Sequence, residues 1–455
     1  MHDLVIQDGM LVTSADSFPA DLGIAGGKIA EIGLHLEGRE QISASGMLVI
    51  PGGVDPHVHL EMPTPATVTS ETWETGSRAA IFGGTTTVVD FVEPSFPGEP
   101  LLDSFRERLA QAKGRSALDF SFHMTLCAAD DSTLQQIPAV IAAGMPSFKV
   151  YMTYLGFHLA DAELLDVFQA VARAGGVVLV HAESDAIIQH AARALQSAGR
   201  LSPRDFPESR PAAAEKEAVE RVLSLAGYSH TPLYVVHVST AAGAAAIARA
   251  RQTGQPVWGE TCPQYLFLDD TRITDPGQGS EASKYICCPP LRSPADNQAL
   301  WQVLLTQGLQ TVGTDHCAFN FHGQKDAGTG SFPEIPSGMP GIELRLALMY
   351  TYGVVPGRIS LSRWVELCCT APARIFRLAP RKGDLVIGAD ADVVLFDPVA
   401  HTRITRSGLH ENVDYTPYEG MSLSGMVRTT LLRGQVLVRD GAWVGELHGG
   451  EYIPC

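Results

Sequence analysis

The chain has 455 residues, 45% of them hydrophobic and 18% charged, which suits one large packed domain with a smaller companion. A formal charge of −17 argues against nucleic acid or an anionic membrane as partner, and no apolar run reaches the length of a membrane helix. The opening "MHDLVIQDGMLVTS" lacks a basic stretch followed by an apolar core, so a cytoplasmic protein without a secretory leader is expected.

Residues 1–50 read as short alternating strands with turns: "LVIQDGMLV", "DLGIAGGKIAEIG" and "QISASGMLVI". Residues 384–455 repeat the style in "DLVIGADADVVLFDP" and "MVRTTLLRGQVLVRDGAWVG". The segment "IQDGMLV" reads as a hairpin resembling "VRDGAWV" near the other end. One small β-sandwich domain built from 1–50 and 384–455 is expected, with residues 51–383 inserted between its halves.

The inserted stretch carries a regular series of β-branched, apolar runs. In order they are "GVDPHVHL" (53–60), "TTTVVDF" (85–91), "DFSFHMTL" (119–126), "SFKVYMT" (147–153), "VVLVHAE" (177–183), "PLYVVHVS" (232–239), "PVWGETC" (256–262) and "QTVGTDHC" (310–317). Most intervals hold helical patterns, such as "DAELLDVFQAVARAGG" (161–176), "EKEAVERVLSLAG" and "AGAAAIARARQTG". Eight strands alternating with helices predict an α/β fold of the (β/α)8 barrel type. A doubly wound sheet of the dinucleotide-binding kind is disfavoured, because no G-x-G-x-x-G opens a helix after the first strand.

Eight cysteines include the adjacent pairs Cys287–Cys288 and Cys368–Cys369, with no C-x-x-C spacing. Reduced thiols packed in the interior are expected.

In such barrels chemistry collects at the C-terminal ends of the strands. His57 and His59 end the first run and share a face if extended. Lys149 lies in the fourth run, His181 ends the fifth, His237 the sixth and Asp315 the eighth. A lone strand histidine is more often structural, but matching positions on five strands argue for a shared site. Imidazole nitrogens and a carboxylate suit a binuclear zinc-like centre. Lys149 has no lone pair for a metal while protonated. Either it reaches toward solvent, or its neutral amine captures carbon dioxide and bridges two cations as a carbamate.

Taken together, "PGGVDPHVHLEMP", "FGGTTTVVDF", "SFKVYMTY", "VHAES", "VHVSTAAGAAAI", "GETCPQYLFL", "KYICCPPLR" and "GTDHCAF" resemble the motifs of dihydropyrimidinases and D-hydantoinases. These enzymes belong to the metal-dependent amidohydrolase superfamily, and the likeness runs over nearly the whole chain. The resemblance implies hydrolysis of the cyclic amide of hydantoins or dihydropyrimidines to N-carbamoyl amino acids. It implies two divalent metal ions, zinc in type, bridged by carboxylated Lys149. His57, His59 and Asp315 would hold one, His181 and His237 the other. A homotetramer is also implied.

Mechanistically, a metal-activated hydroxide would attack a polarised ring carbonyl. Asp315 would take its proton and pass it to the leaving nitrogen, and Tyr154 would hydrogen-bond the developing oxyanion. Two positions depart from the family pattern: Cys288 stands where serine is usual, and Ser337 where asparagine is usual. The family's ring contacts there run mainly through backbone groups. After "HLEMP" the family often continues Phe-Gly-Gly, whereas this chain has "TPA" (64–66), in a loop that helps shape the substituent pocket.

Allantoinase and dihydroorotase are the nearest enzymatic rivals. Dihydroorotases carry arginine at the position of Glu61, whose charge would repel their substrate carboxylate. A non-enzymatic scaffold of the kind that has lost its metal ligands is disfavoured, since all six positions are present.

Overall fold

Both ends of the chain enter one nine-stranded sheet in the computed structural model, which describes residues 1–64 and 67–455. Strand Leu48–Pro51 is the seam. It runs parallel to His2–Val12, with Met10 opposite Leu48, and antiparallel to Val393–Arg403, with Val393 opposite Pro51. Leu4, Ile6, Leu22, Val49, Val393, Leu395 and Leu431 form a common buried cluster, so residues from the two termini share one core.

The two Asp-Gly pairs behave differently. Asp440 and Gly441, at φ 51° and 75°, make a tight hairpin between Gln435–Arg439 and Ala442–Trp443, as the sequence suggests. Asp8 and Gly9 do not. They form a bulge inside the continuous strand His2–Val12, which pairs with Ser17–Ala25 on both sides of the irregularity. The Asp8 amide donates to Asp21 Oδ1 at 2.9 Å. A Cβ on Gly9 would lie 2.4 Å from Val49 Cγ2, so the bulge sits where the backbone packs closely on the seam strand.

Between the ends lie eight parallel strands in sequence order: Gly53–Val58, Thr85–Val92, Asp119–Thr125, Ser147–Tyr151, Val177–His181, Leu233–Val235, Val257–Thr261 and Thr311–Val312. They close into a barrel through a parallel bridge between Val58 and His316, where the His59 amide donates to His316 O at 2.9 Å. The strands are apolar on both faces, as "VVLVH" is, because helices cover the outside. Helix Asp161–Arg173 shows the outer layer. Leu164, Val167, Phe168 and Val171 form its buried stripe, and the Glu163 carboxylate accepts the Ala160 amide at 2.7 Å at its start.

The sixth and eighth strands are shorter than their sequence runs. The sixth stops at Val235, two residues before His237, and the eighth at Val312, three before Asp315. His237 has φ 40° and Asp315 φ 50°, a left-handed backbone that cannot continue a ladder. Pro65 and Ala66, from the "TPA" stretch expected to shape a substituent pocket, lie outside the described residues.

Candidate active site

At the C-terminal mouth the structure brings together all six residues singled out from the strand ends. His57 Nε2 and His59 Nε2 face Asp315 Oδ1 at 3.2 and 3.4 Å. Ligand atoms of these three residues all lie within 4.8 Å of one another, a spacing one cation can span. His181 Nδ1 lies 2.9 Å from His237 Nε2, so a second pair of imidazole nitrogens converges nearby. The two groups adjoin, with the His57 and His237 rings 5.5 Å apart.

Burial lowers the pKa of His57 and His237 well below the ordinary value and lowers that of His181. All three are therefore neutral near pH 7, with a lone pair available. Burial alone would raise the Asp315 carboxyl, but His57, His59 and Lys149 outweigh it and hold the group ionised.

Lys149 is 1% exposed, with its Nζ 5.1 Å from the centroids of both the Phe91 and Tyr151 rings. Among the described residues no carboxylate pairs with it. Desolvation lowers its amine to about 8, against the pull of Asp315, Glu260 and Glu93. This excludes the solvent-reaching lysine and leaves an amine with a substantial neutral fraction near physiological pH.

Three carboxylates hold this arrangement. Asp55, fully buried, accepts the Thr314 amide at 3.0 Å and the Thr314 hydroxyl at 2.7 Å, tying the first strand to the segment that carries Asp315. Glu260 Oε1 lies 2.7 Å from His57 Nδ1 and accepts the His237 amide at 3.1 Å, while Oε2 accepts the Tyr234 hydroxyl at 2.9 Å. Glu183 Oε2 sits 2.8 Å from His181 Nε2 and pairs with Arg210. A carboxylate on the far nitrogen fixes the tautomer and ring orientation of a metal-binding imidazole. The donor set thus fits divalent cations: Glu260 leaves His57 to present Nε2 and Glu183 leaves His181 to present Nδ1, while His59, whose Nδ1 has no partner among the described residues, turns Nε2 toward Asp315.

Glu183, Arg210, Tyr234 and Glu260 escape the reading of the sequence. Glu183 carried the same signal as the His57–His59 pair, an i, i+2 spacing from His181. Glu260 sits in "GETC", whose apolar surroundings make a buried carboxylate conspicuous.

Two other histidines at this end are structural. His123 is satisfied by Ser147 Oγ at 2.6 Å and Pro56 O at 2.9 Å. His316 Nδ1 accepts the amides of Gly341 and Ile342.

Tyr154 follows the fourth strand at φ 83°, a strained conformation for a non-glycine residue. Its carbonyl accepts the His158 amide at 2.9 Å. Its ring lies 4.9 Å from that of His181 and 5.0 Å from the Arg210 guanidinium carbon. Burial raises its pKa well above 10, so the hydroxyl keeps its proton. The half-buried Cys288 thiol lies beside it, with Ser337 adjacent.

Glu61 does not stand alone. Its carboxylate is ion-paired with Arg115, Oε2 to Nη2 at 2.8 Å, and accepts the Trp73 amide at 3.3 Å. Arg115 also pairs with Glu74, Nη2 to Oε2 at 2.8 Å, so one cation serves two carboxylates and the cluster keeps a net negative charge.

The amidohydrolase family profile matches residues 48–437. The D-hydantoinase of Streptomyces coelicolor is 42% identical, covering 99% of this chain and 97% of its own length. The chain belongs to the amidohydrolase family. Among solved structures, the dihydropyrimidinase from Brevibacillus agri superposes with a TM-score of 0.97 at 40% identity, covering 99% of this chain and 98% of that one. The L-hydantoinase (dihydropyrimidinase) from Arthrobacter aurescens does so with a TM-score of 0.91 at 31% identity, covering both chains completely. The (β/α)8 barrel and the terminal β-domain are therefore the architecture of this amidohydrolase, and its all-parallel barrel carries a His-His-Asp cluster in the place the fold reserves for chemistry.

Proposed function

We propose that this amidohydrolase hydrolyses the cyclic amide bond of hydantoins and dihydropyrimidines, releasing N-carbamoyl amino acids. The observation that carries the reading is the convergence of His57, His59, Lys149, His181, His237 and Asp315 at one barrel mouth. Full-length similarity to hydantoinases supports it.

In this reading His57, His59 and Asp315 hold one divalent cation and His181 and His237 a second, with zinc suited to the imidazole-rich donor set. Lys149, as its carbamate, would supply oxygen donors to both. Its neutral Nζ adds to carbon dioxide, an N–C bond forms, and a proton leaves to solvent. Burial favours this step by lowering the amine to about 8. When bound, such cations polarise a carbonyl and bring the pKa of a water toward neutrality.

The remaining steps belong to the chain's own residues. Asp315 accepts the proton of the attacking water and returns it to the ring nitrogen as the C–N bond breaks. Tyr154 keeps its proton and hydrogen-bonds the oxygen that becomes negative. Backbone groups at Cys288 and Ser337 hold the ring, so the side-chain changes there leave binding possible. The hydantoinase resemblance supports a homotetramer, which light scattering checks, and the eight free thiols support a cytoplasmic setting.

The test is a hydrolysis panel of hydantoin, 5-aryl hydantoins, dihydrouracil, allantoin and dihydroorotate, together with metal analysis. The neutral cyclic ureides should give the highest kcat/KM, with about two metals per chain. Highest turnover on allantoin or dihydroorotate, or full activity without metal, would overturn the reading.

A further inference from the structure

The one-turn segment Phe321–Lys325 lies beyond the eighth strand and contributes no metal ligand. Its amides at Phe321 and His322 are anchored on the Asp414 carboxylate at 2.6 and 2.9 Å. From that anchor its last two side chains reach three different loops of the barrel mouth.

Lys325 is fully buried, at 0% exposure, and among the described residues no carboxylate pairs with it. Its Nζ instead donates to Ile286 O and Pro336 O, each at 2.9 Å. Ile286 stands two residues before Cys288, and Pro336 one before Ser337. The Ile286 carbonyl also accepts the Gly338 amide at 3.0 Å, so the two segments are clamped side by side. A buried amine without a counter-ion costs stability. Here desolvation lowers it to about 8. An apolar side chain could fill the same volume, but it could not bind two carbonyls at once.

Gln324, the preceding residue, turns the other way. Its Nε2 donates to Thr67 Oγ1 and to Val68 O, each at 2.8 Å, while its Oε1 accepts the Asn320 amide at 2.7 Å. Thr67 and Val68 belong to the loop after the first strand, which on the sequence resemblance helps shape the substituent pocket.

We propose that Gln324 and Lys325 are positioning residues for substrate recognition. Lys325 sets the spacing of the ring-holding backbone at Cys288 and Ser337. Gln324 sets the loop that meets the ring substituent. The inference rests on the proposed function, since it assumes that the ring lies against those two segments. It assigns ring affinity and substituent selectivity to two adjacent side chains, neither of which touches substrate.

The metal-loaded enzyme is assayed on hydantoin and on 5-phenylhydantoin, with bound metal and melting temperature measured alongside. Lys325→Met should raise KM for both substrates about tenfold, leaving kcat within about threefold and metal content unchanged. Gln324→Leu should keep hydantoin kcat/KM within about twofold and shift the ratio between the two substrates about tenfold. A purely structural role would lower both substrates together through stability or kcat, and that result overturns the inference. So does an unchanged ratio in Gln324→Leu. Should Lys325→Met not fold, the Gln324→Leu ratio decides alone. A wild-type enzyme inert on every cyclic ureide sinks the proposed function instead, whatever the variants do.

Discussion

Glu260→Gln tests the supporting shell at its most connected point. The glutamate takes His57 Nδ1, the His237 amide and the Tyr234 hydroxyl, so one carboxylate orients residues from both halves of the centre. Glutamine is isosteric. Its carbonyl can keep the two bonds at Oε1, and its NH2 can replace Oε2, provided that Tyr234 turns its hydroxyl proton to Thr311 Oγ1, 2.5 Å away. The fold should survive; what disappears is the negative charge behind His57. That charge is carried in full only above about pH 7, because burial raises the Glu260 carboxyl from 4.5 to about 7, so the comparison is made above that pH. A charge-assisted hydrogen bond is worth about 1.5–3 kcal/mol. Loss of such a partner typically weakens metal binding about 10–100-fold, or roughly 1.4–2.8 kcal/mol, and the two figures agree. The assay is dialysis against buffered zinc over a range of free concentrations, with bound metal and hydantoin hydrolysis read on the same samples. The variant's zinc curve should move to about 10–100-fold higher concentration, with most of the rate returning at saturation. A glutamine variant that holds zinc as tightly as wild type would refute the argument.

Tyr154→Phe should cost about 2.7–4 kcal/mol of transition-state stabilisation, seen as a hundred- to thousandfold fall in kcat with metal content unchanged. Near wild-type turnover would mean that the ring only packs against His181. Lys149→Ala should empty the paired site, and added short carboxylic acids should restore part of the metal and rate; unchanged metal content by elemental analysis would show the amine to be structural. Glu71 is fully buried, and burial raises its pKa from 4.5 to about 7. A raised carboxyl contributes stability that is complete below about pH 4.5 and lost as pH rises to about 7. Melting temperatures from pH 4.5 to 8 should therefore fall less for Glu71→Gln than for wild type, and parallel curves would contradict the assignment.

The barrel was legible because its strands are buried on both faces and so read as unbroken apolar runs, while helices such as Asp161–Arg173 keep a clean stripe. The six candidate residues were legible because the fold confines chemistry to one end of each strand. Two features were not. Strand ends at His237 and Asp315 depend on a left-handed backbone, which leaves no mark in apolar periodicity. The orienting carboxylates Glu183 and Glu260 become meaningful only once distant strands are adjacent, as 203 positions separate His57 from Glu260. The Asp-Gly pair at residues 8–9 misleads for the same reason: the same letters that turn the chain at Asp440 are absorbed into a bulge where Val49 packs from another strand.

The seam strand also sets an order of events during synthesis. Leu48–Pro51 leaves the ribosome early, yet its antiparallel partner begins at Val393, roughly 340 residues later. At about 5–20 residues per second, that edge waits roughly twenty seconds to a minute for its partner. Until then its backbone donors and acceptors are unpaired on one side, and the apolar cluster shared with the far terminus is half built. The barrel between can close first, because its last strand, Thr311–Val312, and the closing partner His316 are made before Val393. Completion of the molecule is thus a late, long-range docking step, and conditions that slow it should favour aggregation through the exposed edge rather than loss of the catalytic barrel.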